Sequence, residues 1–438
     1  MKARKRIGHL LLTAALVVAI SACGSSSKEG EAAGTSGKTA AETVRLSFMT
    51  TWSETDPYSS FYYDLVMEFM KQNPDIKIDI QMTPYIDYPV KLSTSAAGNQ
   101  LADLILMIRG GSQLESMVHT GLLMPIDEVM NRWPEDYLKA DLIQDFNVDG
   151  KQYGIPSEIS YHSIIFYNQK ILKDAGYSSF PASFEEFEKL IMALKAKGIT
   201  PISVGNAKGA ALMDSYLSPL NAKISGKGVY EALLSGQKKF TDADFVASLE
   251  KIKELFEMGA FNVDLNNIDN VQATDLFLTG HSAIYIDGNW AVKQISSSKA
   301  EDFEVGFALF PQVEGGKGDV SVTTGATNMA IALNAKLDET EKEAAVKFLD
   351  FMYSEQAYQS VIRAGNLVPA NVAVPEDLDP LFQEMSEALK NVAEVYKPFL
   401  NAMPPAVNTA AQNGLQGLTV KNGPTPDELA KTLQKELE

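Results

Sequence analysis

The chain has 438 residues, 56 of them acidic against 38 basic, and a single cysteine. Its net charge of −18 argues against nucleic acid or anionic lipid headgroups as partners, since both are met by basic patches. One cysteine forms no internal disulfide. His119, His162 and His281 are far apart and lack carboxylates at ligand spacing, so no metal site is expected.

In chain order, Lys2, Arg4, Lys5 and Arg6 make a basic start, followed by the apolar run Leu10 to Ile20. That run is far shorter than the roughly 20 residues needed to span a bilayer and reads as a secretory leader. Ser21 and Ala22 are small enough for signal peptidase, and the lone Cys23 follows. The pattern predicts a lipoprotein leader over 1–22, cleaved before Cys23, whose thiol accepts a diacylglycerol anchor. Residues 23–42 are rich in Gly, Ser, Ala, Thr, Lys and Glu, a composition that cannot bury enough surface to offset its ordering entropy and predicts a flexible linker. The remainder from Thr43 is too long for one ordinary core and predicts two lobes.

Val44 to Met49 alternates with period two, as does Ile76 to Ile80, and both read as strands. Phe61 to Lys71 has apolar residues at helical spacing, and a second helix is expected from about Tyr88 to Ala97. Leu104 to Ile108 is a continuous apolar run suited to a buried parallel strand. This β-α-β-α-β order implies a sheet with helices on both faces. Further on, Ser163 to Tyr167 reads as a strand and Asn168 to Ala175 as a short helix. Ser183, followed by Glu185 and Glu186, marks the start of a helix that runs to Lys197. Ala283 to Ile286 reads as a short strand closed by the turn signal Asp287-Gly288. Gly315-Gly316-Lys317-Gly318 lacks phosphate-loop spacing and reads as a turn.

A set of ordered motifs then becomes visible. Ala102-Asp103-Leu104-Ile105, Thr120-Gly121-Leu122-Leu123, Gly154-Ile155-Pro156-Ser157-Glu158 and Phe166-Tyr167-Asn168 come first. Gly198-Ile199-Thr200-Pro201-Ile202 and the long stretch Phe277 to Trp290 follow, then Gly365 to Ala370 and Thr425-Pro426-Asp427-Glu428-Leu429. In this order, and behind a lipoprotein leader, the chain resembles the extracellular solute-binding proteins of family 1, which include maltose-binding protein. The resemblance implies an α/β, two-lobed periplasmic-binding-protein fold of type II, with a hinge between the lobes and the ligand in a cleft. By motif, crossovers are expected near 149–153, 320–324 and 366–369. Lobe one would comprise 43–152 and 323–368, and lobe two 153–322 and 369–438. The implied role is capture of a mono- or short oligosaccharide for the permease subunits of an ABC importer, without cofactor or catalysis. The expected form is a monomer, anchored by lipid on the outer face of the cytoplasmic membrane. A tether suits a Gram-positive cell, since a freely soluble periplasmic binder needs none. The other readings are a binder of a peptide, polyamine or polyalcohol, and a surface enzyme that cleaves glycosides with a carboxylate pair such as Glu54 and Glu158.

Sugar sites combine flat apolar faces with planar polar groups. Trp52 follows the first strand at its C-terminal end, where ligands bind in open α/β sheets. Trp290 stands at the family's matching tryptophan, which implies stacking on the ligand. Trp133 precedes Pro134 and reads as structural. Polar candidates are Glu54 beside Trp52, Arg109 after the strand Leu104 to Ile108, and Asp103 before it. Glu158 and His162 flank the start of lobe two, Asn206 follows a strand-like segment, and Gly325 and Asn328 lie on the second crossover. Met107 stands where maltose-binding protein has an aromatic platform, so a long maltodextrin is not implied.

Overall fold

Val44–Thr50 (β1), whose last three residues are all buried, is an inner strand of the first sheet, in a computed structural model that describes residues 43–438 except 57, 58, 86, 109–111, 320, 390 and 391. β1 pairs in parallel with Ile76–Met82 (β2) and with Leu104–Met107 (β3). Parallel neighbours need long crossovers, and helices Ser60–Gln72 (α1) and Tyr88–Ala97 supply them. All four residues of β3 are buried, as its unbroken apolar run requires. Leu123–Met124 (β4) joins the far end of the sheet, and Asn147–Val148 (β5) with Lys151–Gln152 (β6) makes a separate short hairpin. The lone Cys23 and its leader lie outside the described residues, as does Arg109.

The next strand, Pro156–His162 (β7), still belongs to the first sheet, beyond the expected crossover at 149–153. One residue later the chain enters a second sheet at Ile164–Asn168 (β8). Ser163, between the two, is in the left-handed region at φ 63, an uncommon state for a residue with a side chain. Thr200–Ser203 (β9), Ser282–Asp287 (β10) and Val305–Ala308 (β11) complete the second sheet in the order β11-β8-β10-β9. Its helices start where the sequence places caps. The Ser183 hydroxyl accepts the Glu186 N–H at 3.3 Å. Asp269 and Gln272 cap each other's backbone at the start of Asn270–Leu278, just before β10. The Asp287-Gly288 turn leads into helix Ala291–Ser298 rather than into a hairpin.

The chain returns through Val322–Asn334 (β12), which changes neighbours along its length. It pairs with Glu394–Tyr396 (β13) first, then with β7, then with β3 and β4. Met329, at φ 60, marks the point where β7 gives way to β3 as partner. A third passage is made at Leu367, whose carbonyl accepts the Ile159 N–H at 2.7 Å. One buried core surrounds β1, β3 and the latter half of β12, and a second surrounds β9 and β10 beneath the helices Phe184–Ala196 and Ala243–Glu257.

The root of β12 is fastened to the second core by a buried amine. Lys223, fully buried at the end of helix Ser218–Ile224, donates from Nζ to the carbonyls of Asp319 at 2.9 Å and Val322 at 2.8 Å. Burial lowers its pKa to about 8. The connection lies flat on the helix end because Gly318 has no side chain: a Cβ there would sit 2.0 Å from the Ala222 carbonyl oxygen. Gly318→Ala should therefore push the connection off the helix and cost about 1–3 kcal/mol of stability, measured as a lower urea midpoint with an unchanged slope. A midpoint equal to the parent's would mean the connection yields freely.

Candidate functional site

Strand β7 carries polar residues at every second position, Glu158, Ser160 and His162, and period two puts them on one face. Their partners on β12 are Asn328, Ala326 and Thr324, and side chains directly opposite each other share that face. A polar row thus runs along the ladder from the first sheet toward the second. The Asn328 amide donates to Ser160 Oγ at 2.6 Å.

Aromatic residues close both ends of the row. At one end the Tyr62 hydroxyl, from α1, donates to Glu158 Oε2 at 2.9 Å. Trp52 stacks on Tyr62 with ring centroids 4.4 Å apart, and Phe48 meets Trp52 edge-on. Trp52 is fully buried, and its indole N–H has no hydrogen-bond partner among the described residues. At the other end, the half-buried Trp290 lies edge to face with His162 at 5.0 Å. Its six-membered ring covers Gly288, where a Cβ would come within 2.1 Å of it. A side chain on residue 288 would displace the indole.

Two buried carboxylates belong to this region. Burial pushes Glu158 up to about 7, against the opposing effect of the Tyr62 bond. Asp287, at the end of β10, is pushed up to about 6 by burial, while bonds from Tyr285, the Gly288 N–H and Trp290 work the other way. The Asn270 amide also donates to Asp287, at 3.3 Å. The buried Tyr216 hydroxyl, on the π-helical turn Met213–Leu217, has no hydrogen-bond partner among the described residues. That turn is held to the start of β8 by the Ser163 hydroxyl, which donates to the Asp214 carbonyl at 3.1 Å.

The structure thus brings Trp52, Glu158, His162, Trp290 and Asn328 onto one stretch of the molecule. The other expected residues have different settings. Asp103 sits at the N-terminal end of β3, opposite the strand ends where ligands bind. There its carboxylate accepts both the N–H and the hydroxyl of Ser47 at 2.7 Å. Asn206 is fully buried and its amide is spent on Asn266 and the Leu212 N–H. Gly325 lies on the same ladder but opposite Tyr161, on the other face from the polar row, and is hemmed in, since a Cβ would meet the Ser160 carbonyl oxygen and Val395 at 2.8 Å. Glu54 is exposed and lines an open depression of about 600 Å³ beside α1 and β2, with Trp52, Tyr63, Met67 and Met82. Trp133 is structural, edge-on to Tyr137 and Tyr353. Met107 is fully buried in the core.

Sequence reasoning missed Tyr62 as a partner of Glu158, and also Ser160 and Asp287. The signals were there. Glu158, Ser160 and His162 alternate in a stretch flanked by apolar residues, and an aspartate ending the apolar run Ala283 to Ile286 marks a buried charge. No group of three or more His, Cys, Asp or Glu among the described residues is placed to hold a metal ion. No helix among them is long and apolar enough to cross a membrane.

Comparison with known proteins agrees with this geometry. Residues 51–359 match the family described as bacterial extracellular solute-binding protein. The multiple sugar-binding protein of Streptococcus mutans is 23% identical over 88% of this chain and 87% of its own length. The galactooligosaccharide-binding protein of Bacillus subtilis is 25% identical over 97% and 94% respectively. Among solved structures, a chitin oligosaccharide binding protein superposes with a TM-score of 0.81 at 24% identity, covering 90% of this chain and 98% of its own.

The buried carboxylate at Glu158 sets a pH dependence whose sign is fixed. Between its ordinary 4.5 and about 7, the folded state holds a proton that the unfolded chain releases. Stability from this group is therefore greatest below pH 4.5 and declines as pH rises to about 7. Glu158→Gln should remove that decline and gain at most about 3 kcal/mol at pH 8, read from urea unfolding at several pH values. Parallel pH profiles for the two proteins would show that Glu158 does not titrate in this range.

Proposed function

The chain belongs to the bacterial extracellular solute-binding proteins, and on that premise we propose that it captures a short carbohydrate between its two sheets and delivers it to the permease of an ABC importer. The observation that carries the reading is the polar row of β7 and β12, with an aromatic group at each end. Saccharides present alternating hydroxyls and apolar C–H faces, which such a surface matches. The names of the three relatives support a saccharide ligand. We propose two lobes, one around the first sheet and one around the second, with β7 and β12 running between them; the boundary expected at 152–153 then moves to about Ser163, where the chain leaves the first sheet. Ligand contact with both lobes then shifts the hinge toward the closed state.

The role in this reading is binding rather than hydrolysis, with Glu158, beside its one bond from Tyr62, serving as an acceptor for ligand hydroxyls. The protein acts as a monomer, held by lipid on Cys23 at the outer face of the cytoplasmic membrane of a Gram-positive cell. The buried carboxylates Glu158 and Asp287 favour a second reading, a polyamine ligand. Thermal-shift screening of the leaderless protein separates the two, since a ligand at 100 times its Kd stabilises by about 2.7 kcal/mol. A response to amines with none to any sugar would select the second reading. Sugar cleavage in the same mixtures would overturn binding without turnover.

Trp290→Ala should weaken sugar binding about 5- to 150-fold through loss of an aromatic contact worth about 1–3 kcal/mol. Calorimetric titration measures this, and an unchanged Kd would remove Trp290 from the ligand surface. Cys23→Ser should leave ligand affinity intact and move the protein from the membrane fraction to the medium. If the variant stays with the membrane after leader cleavage, the anchor is something other than lipid.

A further inference from the structure

Asn289 stands between the Gly288 turn and Trp290, and it is fully buried. Its backbone N–H donates to the Tyr161 carbonyl at 3.0 Å, and its Oδ1 accepts the Tyr161 N–H at 2.7 Å. One residue thereby takes both main-chain groups of a β7 residue, as a neighbouring strand would. The other end of the amide points away from β7. Nδ2 donates to the Gly365 carbonyl at 3.3 Å and to Asn366 Oδ1 at 3.2 Å. Those two residues open the third passage, where Leu367 meets Ile159 of β7. Every polar atom of the side chain is used, and only a carboxamide offers an acceptor on one side and two donors on the other.

We propose that Asn289 is a positioning residue that clamps the Trp290 platform to two of the crossovers at once. The indole then turns with the hinge and does not ride independently on the second sheet. This rests on the reading that Trp290 meets the ligand. A residue that merely filled the core would need partners within its own sheet, whereas Asn289 bonds to β7 and to the 365–367 passage. Closure would carry the aromatic face and the Glu158–His162 row into one fixed relation. The ligand would find its stacking surface preorganised.

Two substitutions cut the clamp on one side only. Asn289→Asp keeps an acceptor for the Tyr161 N–H and loses both donors toward Gly365 and Asn366. Asn366→Ala leaves Asn289 in place and removes one of its acceptors, which keeps the test open should a carboxylate at 289 impair folding. Small-angle scattering of the leaderless protein without ligand comes first, because it needs no sugar. Each variant should show a radius of gyration different from the parent's, as the resting spread of the two halves changes. With any sugar that stabilises the parent, Asn366→Ala should bind about fivefold and Asn289→Asp about 25-fold more weakly, from the loss of one and two hydrogen bonds of about 1 kcal/mol each. The double variant should bind no worse than the weaker single one, as expected of residues acting through one contact. Lower melting temperatures with parental scattering and parental Kd would overturn the proposal and leave Asn289 a packing residue. If no sugar stabilises the parent, the carbohydrate reading fails on its own, and the ligand-free scattering still decides the clamp.

Discussion

The ladder between β7 and β12 is the constraint on which the rest of the molecule depends. These strands pair antiparallel from Glu158 opposite Asn328 to His162 opposite Thr324. Main-chain hydrogen bonding alone sets which side chains share a face, and a slip of one residue would turn the polar row to the other side. Register is protected from several directions. Asn328 bonds to Ser160, the Ser157 hydroxyl to the Met329 carbonyl, and the Ser163 hydroxyl to Thr324. The ladder is also where the chain leaves one sheet for the other, so the residues that face the proposed ligand are those that any rearrangement of the halves must pass through.

Burial of carboxylates beside this ladder is costly and only partly offset. Glu158 receives one strong donor, the Tyr62 hydroxyl, while Asp287 is met by Tyr285, Asn270 and its own turn. An acid group so placed accepts further hydrogen bonds more readily than one already saturated, because desolvation has removed its water and the protein has not fully replaced it. Trp52 and Tyr216 present the complementary case, donors buried without acceptors among the described residues. Buried acceptors with capacity to spare, together with buried donors that lack acceptors, are better suited to an incoming polyhydroxylated molecule than to folding stability.

Much of the fold was legible because period and caps are local. β1, α1, β2 and β3 followed from alternation and helical spacing, and Ser183 announced its helix. β7 and β12 did not, since their mixed polar and apolar residues resemble loop when read one at a time. What makes them strands is pairing with each other, which no local window contains. The site divides along the same line. Trp290 and Glu158 were found through the resemblance and through their setting at segment ends. Asp103, read as a candidate although it precedes its strand, could not be told from a turn residue because the partner that holds it, Ser47, lies 56 residues away. Tyr62 was hidden because its partner lies 96 residues away.

That separation also bears on how the protein reaches its place of work. Asn334, at the end of β12, donates to the carbonyl of Leu101 across 233 residues of chain. The first sheet therefore cannot be completed until more than three quarters of the polypeptide has been synthesised. Topologies dominated by such distant contacts fold slowly. For a chain whose first residues read as an export leader, slowness is an advantage, because a secretion channel passes unfolded polypeptide. The late arrival of β12 leaves the first sheet open through most of synthesis, a state in which a chain with such a leader could still be passed through a channel.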